Sequence, residues 1–169
     1  MSNRNTSRAY SLGLALVAAA ASVMLATRAA RAETWKGIEP FESRRADVER
    51  ALGAPVADRY AEDWTLEFNV SGGKVTVFFV TPKFVATKKL APHYEGTVLQ
   101  IVLQHDSAQD TPESMNLVRN SSYEHRHDKG VDVYLEPKRG IAYTFVDSRL
   151  KTTRYSYSAQ KFAQIQRGK

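Results

Sequence analysis

The residue types best suited to chemistry in this chain form a short histidine pair. His125 and His127 flank Arg126, and on an extended strand both imidazoles would lie on the same face, about 7 Å apart. Such a pair binds a divalent metal when a further histidine or carboxylate joins it. The residues that could complete a site are His93, His105 and Asp128. The alternative is an exposed edge strand of mixed charge. Because no helical histidine pair accompanies them, we predict no bound metal.

Adjacent carboxylates at Glu62 and Asp63 suggest a second chemistry. Paired acids serve as acid and base in hydrolases, and His125 or His127 could assist them. The two acids precede a predicted strand, however, where a solvated position is the simpler interpretation. The chain has neither a Gly-x-Ser-x-Gly nucleophile motif nor a Gly-x-Gly-x-x-Gly phosphate loop. We therefore predict no catalytic residue and no cofactor, so that the protein is not an enzyme.

Cysteine is absent from the 169 residues. Its absence excludes disulfides, cysteine-ligated zinc and a cysteine nucleophile. The formal net charge is +6, but four of the positive charges fall in the first 32 residues, which contain no acid. Without that segment the excess is only +2, so the basic composition does not favour nucleic-acid binding.

The first 32 residues have the pattern of an export signal. Arg4 and Arg8 precede an apolar run over 12–26, which is shorter than the roughly 20 residues of a membrane-spanning helix. Ala30-Arg31-Ala32 is typical of a cleavage site between small residues. We predict cleavage after Ala32, leaving an exported, periplasmic or extracellular chain without a stable membrane span; an uncleaved membrane anchor is the alternative.

The first half after the signal, 33–106, predicts one short helix and four strands. The helix lies between Phe41 and Pro55, with Ser43 as its cap and Gly53 at its end. Alternating apolar residues predict strands. These strands cover 56–60, 64–70, 74–80 and 97–105. The stretch 82–92 between the last two is predicted to be a basic loop.

The second half, 107–169, is predicted to follow the same plan. Asp110 or Thr111 caps a helix, and Pro112 suits its first position. Strands are predicted over 122–127, 131–136, 141–146 and 150–157, and Ser158 caps a closing helix. The predicted fold is a single α+β domain over 33–169. It contains an antiparallel sheet of about seven or eight strands with short helices on one face, and a possible tandem repeat of helix plus four strands.

The segment that opens at Trp35-Lys36-Gly37-Ile38 and continues through Asp47-Val48-Glu49 to Leu52-Gly53-Ala54-Pro55 resembles an uncharacterised group of exported bacterial proteins. That resemblance implies no activity. More distantly, the helix, the Leu-Gly-x-Pro motif and the following Trp64 hairpin are similar to two families. These are the SmpA/OmlA-type lipoproteins of outer-membrane barrel assembly and the β-lactamase inhibitory proteins, both non-catalytic protein binders. This chain lacks the lipidation cysteine of the former.

Together these observations predict a non-catalytic envelope protein that binds another envelope protein through a sheet face or an edge strand. A small hydrolase using the acids and histidines above is one alternative. A small-ligand binder with an apolar cavity between helix and sheet is another. Two surfaces could serve binding: the basic segment 149–169, and a cluster of strand tyrosines with nearby arginines. The tyrosines are Tyr134, Tyr143, Tyr155 and Tyr157. The alternative for them is that they simply cover a sheet face.

Overall fold

A computed structural model describes residues 34–168, and the predicted export signal over 1–32 lies outside these described residues. The helices are α1 (Arg45–Leu52), α2 (Tyr60–Asp63), α3 (Pro82–Lys88) and α4 (Ala159–Arg167), with a 3₁₀ turn at Pro92–Tyr94. The strands are β1 (Ala57–Arg59), β2 (Thr65–Val70), β3 (Gly73–Phe79), β4 (Val98–His105), β5 (Glu124–Asp128), β6 (Val131–Glu136), β7 (Ile141–Val146) and β8 (Arg149–Ser156).

All eight strands form one open antiparallel sheet in the order β1-β2-β3-β4-β8-β7-β6-β5. Strands β1–β4 make one meander, strands β5–β8 make a second, and the last strands of the two meanders pair at the centre. The predicted α+β fold with an antiparallel sheet is confirmed. The strand part of the repeat is present in both halves, whereas a leading helix occurs only in the first.

The N-cap of helix α1 lies one residue after the predicted cap, Ser43. Arg44 is the N-cap residue, and its backbone N–H donates to Oδ2 of Asp47 at 2.9 Å. The Ser43 hydroxyl instead accepts from the backbone N–H of Glu39, which stabilises the turn before the helix. An acid at the third helical position is also favourable for the helix dipole.

The prediction of a basic loop over 82–92 is wrong for its first part, because residues Pro82–Lys88 form α3. The Thr81 hydroxyl accepts from the backbone N–H of Phe84, and Pro82 occupies the first turn. Phe84 and Val85 pack against an apolar cluster at the end of the sheet. That packing stabilises a helix too short to be stable by itself.

The helix predicted at Pro112 is absent, and residues 112–116 form turns. The Thr111 and Ser114 side chains bond to each other's backbone N–H groups, an arrangement that competes with helix propagation. Asn116 has a left-handed φ of 54°, which ends the turn. Leu117 then enters the core, so the segment covers the sheet without being helical.

One face of the sheet carries all three hydrophobic clusters. Under α1, Val48 packs on apolar side chains of β2, β3 and β4. At the sheet end, α3 and α4 surround Phe41, and Leu117 covers Phe145 in the second meander. The apolar pattern of the sequence also predicts nine core residues, and six of these are buried: Leu66, Phe68, Val77, Phe79, Ile101 and Phe145. The other three predicted core residues, Leu52, Trp64 and Leu99, are only partly buried.

Candidate functional site

The histidine pair lies on the edge strand β5 and is joined to a neighbouring acid. Nε2 of His125 is 2.7 Å and Nδ1 of His127 is 2.9 Å from the same Oδ1 of Asp132 on β6. The two histidine side chains are 46% and 59% exposed. Their hydrogen bonds hold the pKa of the Asp132 carboxyl below its usual value.

Both histidine side chains are thus engaged in contacts within the sheet. The ring of His125 also stacks on Tyr134, with centroids 4.5 Å apart. Neither His93 nor His105 joins the pair: His93 lies in the 3₁₀ turn, and His105 bonds to Thr153. Within residues 34–168 no group of three histidine, aspartate or glutamate side chains is arranged to hold a metal ion.

The acid pair lies at the other side of the molecule. Glu62 and Asp63 belong to α2, between β1 and β2 at the first edge of the sheet, while His125 and His127 are on β5 at the opposite edge. Seven strand spacings separate these edges, a distance on the order of 30 Å. Asp63 is engaged by Arg59 and by the Thr65 hydroxyl. The four residues predicted for the hydrolase alternative therefore do not meet in one site.

The face of the sheet opposite the clusters, here called the open face, is the second large feature. Strand register places a continuous row of side chains on it, which crosses the whole sheet. From β1 to β5 the row is Ala57, Glu67, Thr76, Val102, Arg154, Ala142, Leu135 and Glu124. None of these eight residues belongs to a described hydrophobic cluster.

Apolar side chains on the open face are only partly buried. Phe78 and Val102 in the first meander, and Val131, Val133 and Leu135 in the second, have intermediate exposure. Threonine and glutamine side chains separate them. The open face thus combines apolar side chains with polar residues around them. Many non-obligate protein interfaces have this composition.

Most charges on the open face are neutralised locally. Glu67 forms an ion pair with Arg59 at 2.6 Å and a longer one with Lys74. The carboxylate of Glu124 lies 3.6 Å from the guanidinium of Arg126. Arg154, in the middle of the face, makes no ion pair with any acid of residues 34–168. Arg149, which pairs with Val146 on the same face, also lacks an acidic partner among the described residues, but it donates to the backbone carbonyl of Gln109.

Arg154 borders a groove of about 350 Å³ on this face. Gln100 and Ser156, which pair across β4 and β8, provide polar groups next to it. Leu135 and Pro137 form an apolar wall, and the first turn of α4 closes one end. Sequence reasoning missed this groove, because its residues come from three strands, a turn and the start of α4, which meet only in the folded sheet.

The predicted surface of tyrosines with arginines does not form. Tyr134 is buried beside Phe145 on the covered face, and Tyr155 packs against the cluster under α1. Arg154 follows the opposite alternation and lies on the open face. The alternative stated for the tyrosines, that they cover a sheet face, is therefore the better description.

Two basic residues of the segment 149–169 are used inside the fold. Arg149 donates to the backbone carbonyl of Gln109 at 2.7 Å. Lys161 forms ion pairs with Glu39 and Glu42, which connect α4 to the segment before α1. Arg154 is the basic residue of this segment that faces outward at the centre of the sheet.

A second concavity, of about 480 Å³, lies outside α1 and is bordered by charged side chains such as Glu42, Asp47 and Arg50. It is not the apolar cavity between helix and sheet predicted for a small-ligand binder. The space beneath α1 is filled by the fully buried side chains of Val48, Leu66 and Val77.

Within the described residues, no helix has both the length and the apolar character needed to cross a membrane. No family model, curated protein or solved structure matches the chain.

Proposed function

We propose that this protein is a non-catalytic, exported envelope protein that binds another envelope protein through the open face of its sheet. The observation that carries the proposal is the asymmetry of the sheet: helices and a long loop cover one face, while half-buried apolar side chains remain on the other. A purely solvated face needs no such apolar residues at its centre.

The size of the open face supports the proposal. Seven spacings of about 4.8 Å and strands of about six residues give an area of roughly 700 Å². A stable protein interface buries about 800 Å² on each partner. The open face is thus large enough to provide nearly all of one side of such an interface.

The sheet edges are less suited to this role. Strand β1 has only three residues. Strand β5 has five exposed residues and consists of Glu124, His125, Arg126, His127 and Asp128. A short edge and a charged edge both oppose strand addition, so the face is the better candidate than the edge strand.

Site-specific photocrosslinking tests the binding surface. A photoreactive amino acid at Thr144, which lies on the open face opposite Val133 and Thr152, is expected to give a discrete protein adduct in the native envelope. The same amino acid at Arg50, exposed on the outer side of α1, is the matched control and is expected to give none. Equal adducts from both positions, or none from Thr144, would refute the proposed surface.

Export is tested on the full chain in a bacterial host. The soluble envelope fraction is expected to contain a product that begins at Glu33, as measured by intact mass. A variant with Ala30→Leu and Ala32→Leu should block cleavage and retain the full mass in the membrane fraction. An intact, membrane-bound wild-type chain would instead support the anchor alternative.

A further inference from the structure

Arg154 is placed for recognition rather than for folding. It lies on β8, the fourth-from-last strand of the sheet order, with Val102 on one neighbouring strand and Ala142 on the other. Its side chain is exposed. Both neighbours are apolar and neither can share its charge, so a cation is held at the centre of the open face.

Other cations of the open face are already paired within the chain. Arg59, Lys74 and Arg126 each have a glutamate partner. Burial raises the pKa of the Tyr157 phenol, and the positive charge of Arg154 nearby partly opposes that rise. No hydrogen bond or ion pair within residues 34–168 engages the Arg154 guanidinium, so its hydrogen-bonding capacity is left for a group from outside the chain.

A carboxylate is the chemical group that matches this capacity. A guanidinium binds a carboxylate through two parallel hydrogen bonds, which gives direction as well as energy. Gln100 and Ser156 provide further polar groups beside it, and Leu135 and Pro137 provide an apolar wall in the same groove. A groove with an apolar wall and a few convergent polar groups suits one acidic and one apolar side chain together.

We propose that the Arg154 groove receives an acidic side chain of the partner protein, with an adjacent apolar side chain of that partner packed against Leu135 and Pro137. This inference depends on the proposed function, because it names the chemistry of the partner at the same open face.

Two other occupants fit the charges less well. A second copy related by a two-fold axis at this face would bring Arg154 near its own counterpart, and the glutamates of the open face are already paired. A nucleic acid requires several free cations along its backbone, whereas Arg59, Lys74 and Arg126 of the open face are already paired with glutamates and Arg149 is bonded to the backbone carbonyl of Gln109.

The test uses a phage-displayed library of random peptides, selected on the purified exported protein. We expect enrichment of peptides with aspartate or glutamate next to an aliphatic or aromatic residue. Arg154→Ala should weaken the best selected peptide about ten- to a hundredfold, as expected for loss of a hydrogen bond to a charged group. Arg50→Ala, which removes an exposed arginine on the outer side of α1, away from the open face, should leave the affinity within about twofold.

Circular dichroism and thermal melting confirm that both variants fold, since neither side chain contributes to a buried cluster. Selection of peptides without acidic residues, no selection at all, or equal binding by Arg154→Ala and wild type would overturn the inference. The crosslinking adduct at Thr144 separates the two proposals. An adduct that persists in Arg154→Glu contradicts the carboxylate inference alone, whereas no adduct in the wild type contradicts the proposed function.

Discussion

Nε2 of His105 lies 2.9 Å from Oγ1 of Thr153, so a side-chain hydrogen bond connects the end of the first meander to the last strand of the second. His105 is half-buried and Thr153 is buried. Besides the β4–β8 ladder, the two halves of the chain are also joined by the Lys161 ion pairs with Glu39 and Glu42 and by the packing of Phe162 on Phe41.

Burial of His105 predicts a pH dependence of stability. Desolvation lowers the pKa of His105 below its usual value, partly opposed by Asp110. As the pH falls through about 6.5, the unfolded chain gains a proton that the folded His105 resists, so the free energy of unfolding decreases. This contribution is fully present above pH 6.5 and diminishes below it.

The measurement is urea denaturation at pH 7.5 and pH 5.0 for the wild type and for His105→Gln. Gln removes the titration and retains a hydrogen-bonding group near Thr153. The wild type is expected to lose more stability between the two pH values than His105→Gln. An equal loss in both proteins would show that other groups cause the pH dependence.

The core predicts a graded response to truncation. Leu66 is fully buried under α1 and Leu52 is only partly buried at the end of that helix. Leu66→Ala should cost about 2–5 kcal/mol, and Leu52→Ala should cost less, since less apolar surface returns to water. Val56→Ala is the control at 57% exposure and should stay within about 0.5 kcal/mol. Equal losses for Leu66→Ala and Val56→Ala would contradict the position of the core.

Alternation of apolar residues was sufficient to predict the inner strands, because these have one buried face. The pattern at Trp64, Leu66 and Phe68 predicted β2, and the same reasoning located β6 and β7 within a residue. Ser158 was correctly predicted as the cap of α4, because a single hydroxyl before an apolar stripe is a local signal.

The short helices could not be predicted in this way. Thr81-Pro82 and Thr111-Pro112 carry the same helix-start signature, yet only the first begins a helix. The difference is tertiary: Phe84 packs against the ring cluster around Phe41, whereas the segment after Pro112 turns at Asn116. Helices of one or two turns depend on such packing.

The candidate site was even less accessible to sequence analysis. Arg154 is one of six basic residues in the segment 149–169, and the pattern alone does not distinguish it from Lys161, which is paired inside the fold. Its importance depends on which face of the sheet remains open. That in turn depends on where the segment around Leu117 packs, which is a nonlocal property.

The turn between β6 and β7 predicts a steric requirement for glycine. Gly140 has a φ of +72°, and a Cβ added there would lie 2.3 Å from the backbone oxygen of Ser156. Gly130 also has a left-handed φ, of +79°, but a Cβ there would meet nothing within 4 Å. Both alanine variants would be strained by roughly 1–2 kcal/mol, and only Gly140→Ala would also displace strand β8.

Urea denaturation of the two variants distinguishes the backbone strain, which both share, from the steric clash with Ser156, which only Gly140→Ala has. Gly140→Ala is expected to lose clearly more stability than Gly130→Ala, and it should also distort the groove that Gly140 borders. Equal losses would mean that the close approach between Gly140 and Ser156 is not rigid.

The cap of α4 provides the last prediction. The buried Ser158 hydroxyl accepts from the backbone N–H of Lys161 at 3.1 Å, and Phe162 and Ile165 hold the helix on the sheet end. Ser158→Ala leaves that N–H without its acceptor and should cost about 1 kcal/mol. Hydrogen exchange at Lys161 and Phe162 should accelerate, while β3 amides stay protected.

Ser122→Ala is the matched control, because Ser122 is exposed and precedes the edge strand β5. It should change neither the melting temperature nor the exchange of α4. If Ser158→Ala behaves like Ser122→Ala, then α4 is held by Phe162, Ile165 and the Lys161 ion pairs alone, and the cap contributes nothing measurable. If exchange accelerates throughout the sheet, α4 and the central strands open as one cooperative unit, which would place the helix in the structural core that supports the open face.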